Sequence, residues 1–389
     1  MAIQLSPELA MAHLHLGLAM QAEGEPKAVD ELIEAQRLAP DNPVIELELG
    51  KAFAAAGQDD QAIPLLQRAL DGNPESPDAM YPLALALQRT NRVPEAIPLL
   101  RRVVASQPEN AGALTNLGMA LCQAQRAKEA VPVLQRAVVL TPKDVTAHQD
   151  LAAAYVQLSQ FGDAVTELHT ALSLAPSSAQ LHYNLGVALK MQDDAAGAIP
   201  ELEAAERLDP AAPEPAYLLG VLYMQAARYE EAARELKTSL TLRPANGDGW
   251  ATLGSVYSKL DRLPEASAAL HEAIRQLPDQ PDPHLTLAAV LTKQSQPAEA
   301  ASERRQAAEL MRKNMNHQRA EVATNAGNSL LKSGDLAGAD VQFRDALTYD
   351  ANYAEAHLGL AKLLDLQGKA AEAAAERQRA EVSSKPASP

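Results

Sequence analysis

The chain has 389 residues, a net charge of −16, 3% aromatic residues and one cysteine, Cys122. That charge argues against nucleic acid as a partner, since neutralising phosphates takes a basic stripe. A lone thiol excludes a disulfide framework and a thiolate-rich metal cluster. No run approaches eighteen consecutive apolar residues, so no membrane span is expected.

The opening Ala2-Ile3-Gln4-Leu5-Ser6-Pro7 reads like the close of a helical repeat, as in Ala137 to Pro142. Residues 1–7 are therefore expected to be the end of a partial repeat in a chain that begins further upstream. Such an upstream segment could carry an export signal or anchor, which leaves the compartment open. A first helical hairpin follows around Gly17, Ala28 and Pro40.

From Gly50 onwards a leucine followed by a small residue recurs every 34 residues, at Ala84, Gly118, Ala152, Gly186, Gly220, Gly254 and Ala288. Twelve residues after each small residue stands an alanine, from Ala62 to Ala300, and a proline from Pro74 to Pro278 closes each unit but the last. Apolar positions such as Leu117, Leu121, Ala130, Leu134 and Ala137 keep helical spacing, so each unit is a helical hairpin. The small residues allow close approach of the two helices, and the closing proline stops the second. Pro94 and Pro264 suit a first helical turn. Pro64, Pro98, Pro132 and Pro200 lie four residues deeper and predict a local bend without a break.

Between Ala288 and Gly327 the period lengthens to 39 residues, and Arg312 replaces the expected proline. Five extra helical residues would turn the following repeats by about 140°. Arg304 also stands where the other units place leucine. The expected organisation is a solenoid over 1–312 with about nine hairpins, two further hairpins over 313–382, and a disordered tail at 383–389.

Trp250, Leu253, Gly254, Tyr257, Ala266, Leu270 and Pro278 match the pattern of the tetratricopeptide repeat (TPR), and nearly the whole chain resembles that family. The resemblance implies an all-α fold, a right-handed α-solenoid of about eleven hairpins whose first helices line a concave wall. Positions one residue after and three before the small residue then point into the groove. They give, with their neighbours, the candidate partner-binding set Tyr81, Leu85, Asn116, Met119, Gln149, Val156, Tyr183, Asn184, Val187, Tyr217, Val221 and Met224, with Cys122 beside them. Methionine and tyrosine together suit adaptable contact with a peptide or helix. Asn116, Asn184 and Asn325 occupy a position where family members place an asparagine on the bound chain's backbone. Asp150, Leu218, Thr252 and Thr286 interrupt that ladder, and no Lys and Arg converge there to clamp a C-terminal carboxylate.

His13, His148, His182, His284 and His357 recur at the family's tryptophan position. Equivalent helices stand at least roughly 8–10 Å apart, too far to share one metal, so these rings are read as packing elements and no metal is expected. Arg304, Arg305, Arg312, Lys313, His317 and Arg319 make the lengthened junction basic. A solvated face interleaved with Glu303, Glu309 and Glu321 is the favoured reading there, with docking of an acidic segment as the alternative. No phosphate loop, His-Glu-x-x-His or Gly-x-Ser-x-Gly occurs, and no cofactor is expected. The sequence thus points to a non-enzymatic scaffold binding peptide or helical segments of partner proteins. Two alternatives are a structural protein whose solenoids stack end to end, with weak self-association through the N-terminal end, and the repeat region of a larger enzyme such as a glycosyltransferase.

Overall fold

The computed structural model describes residues 9–383. The partial repeat expected at 1–7, and the tail beyond Ser383, lie outside the described residues.

Among the described residues every regular element is a helix, and the helices alternate between two kinds. The first nine hairpins begin with α1 (Ala10–Ala22) and α2 (Ala28–Leu38), α3 (Pro43–Ala55) and α4 (Asp59–Gly72), and α5 (Pro77–Arg89) and α6 (Val93–Ser106). They continue with α7 (Ala111–Gln123) and α8 (Ala127–Leu140), α9 (Val145–Gln157) and α10 (Phe161–Leu174), and α11 (Ala179–Met191) and α12 (Ala195–Leu208). Next come α13 (Pro213–Gln225) and α14 (Tyr229–Leu242), α15 (Gly247–Lys259) and α16 (Leu263–Gln276), and α17 (Pro281–Lys293) followed by the long α18 (Pro297–Ser333). The C-terminal half of α18 pairs with α19 (Leu336–Tyr349), and α20 (Ala354–Leu366) with α21 (Ala370–Ser383), which makes eleven hairpins. Contacts group them into two units, one extending to Pro215 and one starting at Ala216.

Local chemistry fixes each hairpin. The Asn42, Asn110, Asp144, Ser178 and Asn246 side chains accept backbone N–H groups at the starts of α3, α7, α9, α11 and α15, satisfying donors that a helix start leaves bare. The turn inside the hairpin is closed by a left-handed residue. Asn91, Gln125, Ser159, Asp193, Ala227, Asp261 and Ser295 all have φ between 57° and 63°, one every 34 residues. The next amide donates back to the first helix, as from Arg92 N to Leu87 O at 2.7 Å and from Gln160 N to Tyr155 O at 2.9 Å, which is a Schellman closure. Pro64, Pro98, Pro132 and Pro200 sit inside unbroken helices. Each lies near the start of its helix and forfeits one intrahelical bond.

The core is a seam of small residues against leucines. Ala62, Ala96, Ala130, Ala164, Ala198, Ala232, Ala266 and Ala300 are all fully buried. A Cβ added to Gly118 would stand 2.2 Å from Leu134 Cγ, and one on Gly186 2.7 Å from Leu202 Cγ, so glycine there is what lets the paired helices touch. The recurrent histidines bridge helix to helix. His148 Nδ1 lies 2.6 Å from Glu167 Oε2 and its Nε2 3.2 Å from Pro142 O. His182 and His357 repeat both contacts with Glu201 and Pro176, and with Glu376 and Ala351. Trp250 Nε1 donates to Pro244 O at 2.9 Å, so the histidine and tryptophan rings fasten the same inter-repeat turn from the same slot.

At the lengthened junction α18 runs for 37 residues without a turn. Arg312 removes the proline stop, and the surrounding Ala, Glu, Leu, Met, Arg and Lys are strong helix formers.

Candidate functional site

The thirteen-residue first helices carry the candidate set, and all twelve residues are half-buried: each flanks the buried seam yet keeps part of its surface wet. Nine of them belong to the unit ending at Pro215, and Tyr217, Val221 and Met224 to the unit starting at Ala216.

Five of the nine meet at one place. Gln149 and Val156 on α9, with Tyr183, Asn184 and Val187 on α11, line a depression of about 340 Å³ with Gln157 at its edge. Tyr81 and Leu85 line a second depression of about 440 Å³ with Lys51, Arg89 and Asn110. Asn116 and Met119 lie on α7, the first helix between those of the two depressions.

The asparagines are partly committed. Asn116 Nδ2 donates to Tyr81 Oη at 2.9 Å and to Gly112 O at 2.8 Å, which uses its two N–H groups and leaves its carbonyl oxygen. Asn184 does the reverse: its Oδ1 accepts from Gln180 Nε2 at 2.8 Å, leaving its amide N–H groups. Asn116 on α7 therefore offers an acceptor and Asn184 on α11 donors. Burial raises the Tyr81 phenol pKa against the opposing effect of the Asn116 bond, and burial, then Asp248, raises that of Tyr217. Both are neutral donors at physiological pH.

Asp150, on the first helix α9, is half-buried. Its Oδ2 is buried and, among the described residues, has no hydrogen-bond partner. Burial, with a smaller contribution from the Asp144 carboxylate, pushes its pKa up to about 6. Burial, and then the Asp150 charge, pushes the Cys122 thiol up to about 11. Cys122 is buried and is a packing residue rather than a nucleophile.

One recurring feature escapes sequence reasoning. Arg89 Nη2 donates to Ala54 O at 3.0 Å, Gln157 Nε2 to Cys122 O at 3.0 Å and Lys293 Nζ to Ser258 O at 3.2 Å. Each reaches the open carbonyl end of the previous repeat's first helix, so the same position ties neighbouring repeats at the edge of the wall. Three different side chains do this work, and no single residue type marks the site.

Rows of helical hairpins joined by short turns define a helical-repeat solenoid. Tetratricopeptide repeat profiles match residues 8–79, 47–102, 81–145, 150–213 and 324–389, and a second tetratricopeptide repeat profile matches 189–253 and 226–291. The chain belongs to the tetratricopeptide repeat family. The matched segments leave 292–323 uncovered, which is the stretch where α18 replaces the turn. Among curated proteins none matches the chain. Among solved structures the chain is similar to MamA (MSR-1, C2 form), with 26% identity over 43% of this chain and 97% of that chain and a TM-score of 0.41. It is similar also to MamA (AMB-1, P212121 form), with 28% identity over 43% of this chain and 99% of that chain and a TM-score of 0.41. Among the described residues no helix is long and apolar enough to cross a membrane.

Proposed function

We propose that the chain is a non-enzymatic scaffold that holds a peptide or helical segment of a partner protein against the inner wall of its first helices. The observation that carries this reading is the depression between α9 and α11, where Val156 and Val187 offer apolar surface beside Tyr183, Gln149 and Asn184. Aromatic residues in such recesses dominate binding energy, and a few placed amides fix the orientation of a bound backbone.

The test is capture of partner proteins by the purified chain, quantified by mass spectrometry. Tyr183→Ala and Tyr217→Ala should each reduce capture at least about tenfold, the cost of a binding hot spot. Arg136→Ala is a suitable control, because Arg136 is exposed on the second helix α8. Arg68 would be a poor one, since its guanidinium pairs with the buried Glu46 carboxylate. Equal effects from all three substitutions would move the site off the inner wall.

End-to-end association of two copies is a second reading, favoured by Leu366 and Val382 near the C-terminal end, which are 65% and 67% exposed. Light scattering across a dilution series separates the two readings: a weight-average mass that rises steadily with concentration supports stacking, and a constant monomer mass rejects it.

A further inference from the structure

The lengthened helix α18 carries a surface that no neighbouring repeat covers. Second helices elsewhere bury a leucine sixteen residues after the small residue of their hairpin, as at Leu100, Leu134, Leu202 and Leu270. In α18 that position is Arg304, which is exposed and donates to Thr292 Oγ1 at 2.7 Å. Beyond it the helix continues for a further eight turns in place of the usual stop.

Arg304, Ala308, Met311, Met315, Arg319 and Val322 follow one another at intervals of four and three residues, and Arg312 falls beside them. At 3.6 residues per turn they occupy a sector of about 100°, and every one of them is exposed. Met311 is 44%, Met315 46% and Val322 70% exposed. This is the i, i+4, i+7 seam by which one helix docks on another, here left open over about five turns.

Its charge is equally distinct. Residues 304–322 hold five Lys and Arg against two Glu, in a chain of net charge −16. Elsewhere arginines are consumed by carboxylates three residues away, as in Arg92–Glu95, Arg126–Glu129, Arg262–Glu265 and Arg275–Glu272. On this stripe the partners are neutral or distant: Thr292 for Arg304, the Tyr349 ring at 5.6 Å for Arg319, and Glu309 at 3.9 Å for Arg312. Arg304 and Arg319 flank the methionine seam with neutral partners, and Arg312 meets its carboxylate, Glu309, only at 3.9 Å.

We propose that the exposed stripe of α18 is a second docking surface, separate from the inner wall, and that it takes an acidic amphipathic helix of a partner protein. Methionine side chains adapt to a partner's leucines, while the flanking arginines take up its Asp and Glu in bidentate pairs. The apolar core of the stripe, spaced for a helix, selects such a partner over a plain polyanion.

The test uses the full chain and a fluorescein-labelled 21-residue peptide with leucines at i, i+4 and i+7 flanked by glutamates, read by fluorescence anisotropy. A scrambled peptide of the same composition, a 20-nucleotide RNA and phosphatidylserine vesicles are the comparison probes. The expected result is saturable binding of the ordered peptide and at least fivefold weaker binding of each comparison probe. Arg312→Glu with Arg319→Glu, and separately Met311→Gln with Met315→Gln, should each weaken binding tenfold or more. Both pairs lie on exposed positions, and unchanged circular dichroism shows that the helix is intact. Tyr183→Ala should leave this binding as it was, so failure here and failure of the inner-wall reading are distinguishable. The proposal is overturned by absence of binding at 100 µM peptide, by double variants that bind the peptide as tightly as the unsubstituted chain, or by tighter stripe-dependent binding of RNA or vesicles.

Discussion

Replacing Gly186 with leucine tests how the hairpins are held together. The glycine lies where α11 touches α12, and even a Cβ would stand 2.7 Å from Leu202 Cγ, 2.8 Å from Leu202 Cδ2 and 3.4 Å from Ala198 O. Leucine adds three further carbon atoms to a contact that is already closed, and overpacking of this kind costs about 1–3 kcal/mol. The gain in helix propensity on leaving glycine, about 1 kcal/mol at most, offsets part of it and leaves a net loss of up to about 2 kcal/mol. Gly186→Ala should cost less than leucine, because Ala84 and Ala152 are buried at the equivalent position of their repeats, but its Cβ still obliges Leu202 to shift. Urea unfolding followed by far-ultraviolet circular dichroism measures the loss, and native-state hydrogen exchange locates it. Because repeats stabilise mainly their neighbours, faster exchange should centre on α11 and α12 and fade with distance. A leucine variant with an unchanged urea midpoint, or with faster exchange only in remote repeats, would refute the close approach.

Asp150→Asn should stabilise the protein in a pH-dependent manner. The folded pKa of about 6 lies above the ordinary 3.8, so the folded state keeps its proton longer and loses stability as pH rises between those values. The penalty is full above pH 6 and absent below about pH 4, which predicts a gain of about 1–3 kcal/mol at pH 8 and almost none at pH 4; equal gains at both would show that the carboxylate is not the cause. Ala227→Gly should raise the urea midpoint by an amount equivalent to about 0.5–1 kcal/mol, because alanine at φ 57° carries a left-handed strain of about 1–2 kcal/mol that glycine avoids at some entropic cost. A lower midpoint would mean that the turn tolerates its alanine without strain.

Most of the fold is legible in the sequence because close helix packing requires particular residue sizes. Gly118 and Gly186 face Leu134 and Leu202, and nothing larger fits without displacement. The prolines inside α4, α6, α8 and α12 are legible too, since a proline near a helix start removes one bond only. The turn residues are not, because Asn91, Gln125, Ser159 and Ala227 share a backbone conformation and no side-chain chemistry. The histidine slot is half-legible: ring shape suggests packing, but the partners Glu167 and Glu201 stand nineteen residues away on the next helix. At the candidate site the spacing identifies half-buried positions. Which of them converge depends on how α9 sits against α11, and which asparagine N–H groups are already taken depends on Tyr81 and Gln180. Neither can be read from spacing alone.

The inner-wall account is tested most directly by a photo-crosslinking amino acid placed at Val187, and in a second variant at Arg136 on the outer helix α8. After irradiation with captured partner proteins, adducts should form from position 187, map to one short segment of the partner, and be absent from position 136. Equal adducts from both positions, or adducts from position 136 alone, would contradict binding on the inner wall.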